Sequence, residues 1–164
     1  MSGTVPQIEV GRTEGLVDVH LLGLPLAIHQ AAEEHRDELR REFALLRLQD
    51  ADLSAADVPV RLLDLMDSLE ARFSRFAEST RLEIEEAVER GEETVDVVFR
   101  VPSGVKSGIT QLGQLLDEAD DYCRRGGSLL TLQAPPEALA YRRWYLDQFI
   151  RQIDGDPAIP WPGA

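Results

Sequence analysis

Side chains with ligating or reactive chemistry are few in this chain and fall in separate segments. His29, Glu33 and His35 lie close together. On a helix, His29 and Glu33 share a face at i,i+4 spacing, which suits two ligands of one ion, while His35 sits around the turn. Zinc needs three or four ligands at defined spacing, and no Cys pair, His-x-x-x-His or Glu-x-x-His supplies the rest. No metal and no cofactor are therefore expected, and the two histidines read as one inward and one surface residue. Asp50, Asp52, Ser54 and Asp57 resemble the start of a calcium loop, but its sixth and twelfth positions are Ala55 and Arg61, where Gly and Glu are required. Helix capping accounts for these residues better.

Val101 to Gly108 reads Val-Pro-Ser-Gly-Val-Lys-Ser-Gly. A phosphate loop would need Gly directly before Lys-Ser, and Val105 stands there, so the segment reads as a helix start. Asp117, Glu118, Asp120 and Asp121 form an acidic patch late in a helix, followed by Arg124 and Arg125. It opposes the helix dipole and reads as a solvated, charge-paired face. Cys123 lies beside two arginines, which would favour a thiolate if it were exposed. It also continues the apolar face of Ala119 and Tyr122, so a buried, inert thiol is expected. No Gly-x-Ser-x-Gly elbow or paired-carboxylate constellation marks an active site, and no enzyme is expected.

Tyr141-Arg142-Arg143-Trp144-Tyr145 differs in kind from these segments. Its aromatic and Arg side chains fall on more than one helix face, and Trp, Tyr and Arg dominate interface hot spots. With Trp161 in the Pro-rich tail, Tyr141, Arg142, Trp144 and Tyr145 are the candidate partner-binding residues. The competing reading is a wide core-facing surface.

The elements that must carry these residues are mostly helical. Leu62, Met66, Leu69, Phe73, Phe76, Thr80, Ile84 and Ala87 recur every three or four residues. The spacing predicts one amphipathic helix from Val58 to Arg90, roughly 33 residues and about 50 Å long. Ile28, Ala31, Ala32, His35, Leu39, Phe43 and Leu46 give a second long helix from about Pro25. A third follows Pro102, with Val105, Ile109, Leu112, Leu115, Leu116, Ala119 and Tyr122 on one face. The fourth opens at Pro135-Pro136, carries Leu139, Leu146, Phe149, Ile150 and Ile153, and closes at Gly155. Thr94 to Val101 is β-branched and reads as extended. Leu16 to Leu22 reads as an extended segment or a helix start, interrupted by Gly23 and Pro25. The prediction is a mainly all-α chain. It is a bundle of about four helices, two of them long and antiparallel, with an extended segment near 94–101. Residues 1–15 form a loose arm, 16–155 one helical domain with a short apolar link at Ser128 to Gln133, and 156–164 a tail.

The chain has 164 residues, enough to bury roughly 70% of the unfolded chain's surface without disulfide staples. Thirty acidic against seventeen basic side chains give a net charge of −13. Such a field repels nucleic acid and anionic lipid, so neither is an expected partner. A single cysteine, no basic-then-apolar leader and no long apolar run give a cytoplasmic expectation.

Leu21-Leu-Gly-Leu-Pro25, His35-Arg-Asp-Glu-Leu-Arg-Arg-Glu-Phe43, Leu116-Asp-Glu-Ala-Asp-Asp-Tyr-Cys123, Ser128-Leu-Leu-Thr-Leu132 and Tyr141-Arg-Arg-Trp-Tyr145 carry a resemblance. Over most of residues 16 to 155 the chain resembles small, largely uncharacterised actinobacterial helical proteins. These accompany partner-switching regulators of sigma factors, meaning anti-sigma kinases and STAS-domain antagonists. The resemblance implies a signalling setting and an anti-sigma or STAS-domain protein partner. It brings no catalytic motif, and the chain has neither the ATPase boxes of the kinases nor the phosphorylation turn of the antagonists.

Two functions are expected on these grounds. The first is a non-enzymatic, acidic regulatory or adaptor protein that acts by protein–protein contact, with homodimerisation through the long helix. The second is a helical-bundle sensor holding a small molecule between its helices near His29, His35 and Tyr122.

Overall fold

The computed structural model describes residues 15–126 and 133–163. The expected arm, apart from Gly15, and the apolar link before Gln133 lie outside the described residues. Among those described, the chain is mainly helical, with four helices and one two-stranded antiparallel sheet. The order is β1 (Leu16–Pro25), α1 (Leu26–Gln49), α2 (Val58–Glu89), β2 (Thr94–Pro102), α3 (Val105–Arg125) and α4 (Pro136–Ile153).

The long helix expected over Val58–Arg90 forms over Val58–Glu89, with Pro59 in its first turn, where a missing N–H is harmless. Asp57 precedes it without a side-chain cap. Its carboxylate instead accepts from the Ser54 N–H at 2.7 Å, which shapes the turn before the helix.

The extended segment near 94–101 is a strand whose partner is β1, so Leu16–Leu22 is extended and not a helix start. Val19 pairs with Phe99 and Leu21 with Val97, and all four side chains are buried. On the outer face Asp18 pairs with Arg100, whose guanidinium donates two hydrogen bonds to the carboxylate at 2.8 and 3.2 Å. Gly23 does not end the strand, which runs on to Pro25, the residue that caps α1. The register shifts between Leu21 and Leu24, and Gly23 takes a left-handed φ of 65° there. This bulge lets Leu21 and Leu24, three positions apart, both turn inward, which strict alternation forbids.

A two-stranded sheet is marginal unless something covers it. Here the inner face packs on α2 and α4 residues, including Ile84, Ala87, Tyr141, Trp144 and Phe149. The β1 edge is sealed by Gln152, whose amide accepts from the His20 N–H and donates to the His20 carbonyl, both at 2.8 Å. The Trp161 N–H continues the seal by donating to the Leu22 carbonyl at 3.0 Å. On the β2 edge, the Thr80 hydroxyl donates to the Val98 carbonyl at 2.7 Å. Trp161 of the Pro-rich tail is thus packed against the core.

A second apolar cluster joins Leu39 and Phe43 of α1 to Leu62, Leu63 and Met66 of α2 and to Leu115, Leu116, Ala119 and Cys123 of α3. Burial pushes the Cys123 thiol up to about 11, so it stays protonated there.

Gln152→Ala leaves both polar groups of His20 without their partner. Urea denaturation should show a loss of about 1–3 kcal/mol. Unchanged stability would mean that Gln152 does not carry the β1 edge.

Candidate functional site

α4 presents Tyr141, Trp144, Tyr145, Gln148, Phe149 and Gln152 on one face, at spacings of three, four, seven, eight and eleven. That is a regular helical stripe, and it points inward. Tyr141 is 3% and Trp144 8% exposed, so neither offers a free contact surface. Trp144 Nε1 donates to the Ile159 carbonyl at 2.8 Å, and the Ile159 N–H donates to Gln148 Oε1 at 2.8 Å. Trp161 stacks edge-on against Tyr141 and Trp144, with ring centroids 5.8 and 5.5 Å away. Arg142 is committed as well. Its guanidinium reaches Asp117 at 2.8 Å and Asp120 at 2.7 Å, bolting α4 to α3 through a nearly buried ion pair. The acidic patch is accordingly paired across elements: Glu118 meets Arg61 of α2, and only Asp121 pairs locally, with Arg124.

Tyr145 differs from its neighbours. It is half-buried, and among the described residues its hydroxyl makes no hydrogen bond. It stands where α1 fails to close on the molecule. Between Leu26 and Leu39 no residue of α1 is buried, a gap of about three turns. An open groove of about 530 Å³ fills part of this gap, lined by His29, Glu33, Arg36, Arg81, Phe99 and Tyr145 among others. A crevice of about 130 Å³ runs beside it under His35, Leu39, Leu112 and Leu116. A third space of about 190 Å³ lies among α1, α2, α3 and β2 and is floored by Leu69, Phe73, Val101, Ile109 and Phe149. Arg36 and Tyr145 line all three.

The polar groups around this space are set by burial. His29 Nδ1 lies 2.6 Å from the Tyr141 hydroxyl. Burial lowers the His29 pKa, with Glu33 opposing in part, and raises that of Tyr141. The neutral imidazole and the protonated phenol therefore share one hydrogen bond through Nδ1. Burial also raises the Tyr145 pKa, so its hydroxyl remains a donor. His35 Nε2 is buried without a partner, an unmade bond that costs about 1–3 kcal/mol. Arg36 holds Glu33 at 2.6 Å. Arg81 comes only within 3.8 Å of Glu70 and makes no hydrogen bond among the described residues.

Of the three residues expected near a small molecule, His29 and His35 line this space, whereas Tyr122 packs edge-on against Phe43 in the other cluster. Sequence reasoning missed Arg36, Arg81 and Tyr145 as a group, because they come from three elements. The one available signal was the polar stretch His29–Glu38 on the face α1 should bury. Among the described residues no group of three or more His, Cys, Asp or Glu side chains is placed to hold a metal ion. None of their helices is long and apolar enough to cross a membrane. No family model, curated protein or solved structure matches the chain.

Trp144→Ala should cost about 3–5 kcal/mol in chemical denaturation, as for a core aromatic; a near-neutral effect would put the indole outside the core. A pH dependence also follows. The folded pKa values of His29 and His35 lie below the ordinary value of about 6.5. The unfolded chain therefore binds more protons as pH falls through that value, and stability complete above it is lost below it. Melting temperature should fall from pH 7 to pH 5, and His29→Gln with His35→Gln should flatten that slope.

Proposed function

We propose that this is a non-enzymatic, ligand-binding regulatory protein whose site is the gap under the first half of α1. The observation that carries the reading is the meeting of three cavities at Arg36 and Tyr145, with unspent hydrogen-bonding groups on Tyr145, His35 and Arg81 around them. Mixed apolar walls with a few convergent polar groups are the usual make-up of small-molecule sites.

The same reading gives α1 a role. Its second half is anchored by Leu39 and Phe43, and by ion pairs of Arg40 with Asp67 and Arg47 with Asp64. Rising positions on α1 meet falling positions on α2, which supports two long antiparallel helices in a bundle. Occupancy of the gap adds contacts to the first half of α1, which otherwise meets the core through Leu26, Ile28 and Ala32. A second reading, contact with a protein partner, is favoured by Leu45 and Leu48, which lie three positions apart and are 42% and 83% exposed. On this second reading the contact surface is the last turns of α1 and not the aromatic residues of α4.

A thermal-shift screen of small organic molecules tests the site. At 100 times its Kd, a ligand contributes about 2.7 kcal/mol, a shift of several degrees. Tyr145→Phe and Arg36→Gln should weaken a hit by about tenfold while leaving circular dichroism native. Hits unaffected by either variant, or no hits, would overturn the reading.

A further inference from the structure

Resting on the ligand-site reading above, we infer that the gap under α1 takes an amphipathic organic anion. Its carboxylate class of head lies between Arg81 and the Tyr145 hydroxyl, and its hydrocarbon tail lies in the apolar space beneath.

The head is set by what the site leaves unspent. Arg81 offers five N–H donors and Tyr145 one O–H. Both line the same groove and the same adjoining space, and neither makes a hydrogen bond among the described residues. Two free donors facing one cavity call for an acceptor-rich group, and a guanidinium fork suits a planar carboxylate. Of the guanidinium groups that line this space, Arg36 is paired with Glu33 and Arg40 with Asp67, while Arg81 stands 3.8 Å from Glu70 without a hydrogen bond among the described residues. Glu34, Glu85 and Glu89 also border the groove and, like Arg81, are exposed. Glu33 is bonded to Arg36.

The tail is set by the floor. Below the arginines stand Leu69, Phe73, Val101, Ile109 and Phe149. The volume of about 190 Å³ exceeds the roughly 150 Å³ of an apolar cavity that accepts benzene. A cation would place its charge against Arg81, and a wholly apolar molecule would leave the donors of Arg81 and Tyr145 unpaired as they became desolvated.

Isothermal titration of the full chain with octanoate, 1-octanol and octylamine separates the classes. Octanoate should bind best, octanol about tenfold more weakly and octylamine more weakly still. Arg81→Gln, on an exposed stretch of α2 where folding does not depend on it, should weaken octanoate about tenfold and leave octanol unchanged. Tyr145→Phe should weaken octanoate several-fold. If octanol or octylamine binds as well as octanoate, or if Arg81→Gln leaves octanoate affinity intact, the anion inference is overturned while the ligand site stands. If none of the three binds but the small-molecule screen yields a hit sensitive to Tyr145→Phe, the class is likewise wrong and the site right. If nothing binds in either experiment, both fall.

Discussion

Two short strands that lie far apart in sequence hold the molecule in register. β1 runs directly into α1, and β2 follows α2 after a short turn closed by Gly91, whose φ is 73°. Pairing Pro25 with Thr94 therefore fixes the start of α1 beside the end of α2, and the Leu26 N–H donates to the Glu93 carbonyl at 3.0 Å. The opposite ends of these helices are joined by the connector between Gln49 and Val58. With both ends tied, the gap in the middle of α1 cannot be removed by sliding the helix. It can close only by local bending or by being filled. The cavity is thus a consequence of the strand pairing as much as of the residues that line it.

The same pairing accounts for polar groups in the interior. A two-stranded sheet exposes two edges, and each unpaired N–H or C=O would cost heavily once covered by packing. Gln152, Gln148 and Thr80 are buried polar side chains, and each makes a hydrogen bond that serves an edge or the segment covering it. Gln152 Nε2 also comes within 3.4 Å of Gln148 Oε1, which takes the Ile159 N–H. These side chains act as a short substitute for a third strand. Close approach on the other side of the core is made possible by Gly108: a Cβ there would stand 2.5 Å from Leu69 Cδ2.

Much of the fold was legible because periodicity is a local signal. All four helices followed from apolar spacing, and the extended character of Thr94 to Val101 followed from its β-branched residues. β1 was ambiguous because the bulge at Gly23 spoils the alternation by which a strand is recognised. The face of α4 stayed open between a core surface and a partner surface, because its aromatic and Arg side chains fall on more than one helix face. Gln148 and Gln152, polar residues at stripe positions, are buried with the aromatics. The signal that resolves the ambiguity lies outside α4, in the tail that brings Ile159 and Trp161 onto the same helix. The site was less legible still, since Arg36, Arg81 and Tyr145 are unremarkable in their own helices and converge only in three dimensions.

The seal on the β1 edge also has a temporal consequence. Ribosomes make β1 before any other described element, yet its ladder partner follows two long helices later, and Gln152 stands 132 positions beyond His20. During synthesis Val19, Leu21 and Leu24 have no ladder partner until α1 and α2 have both been made. Contacts of such long sequence separation slow folding and prolong the exposure of an adhesive strand. The charged and polar residues interleaved on β1, Asp18 and His20, limit what a neighbouring nascent chain can pair with in the meantime.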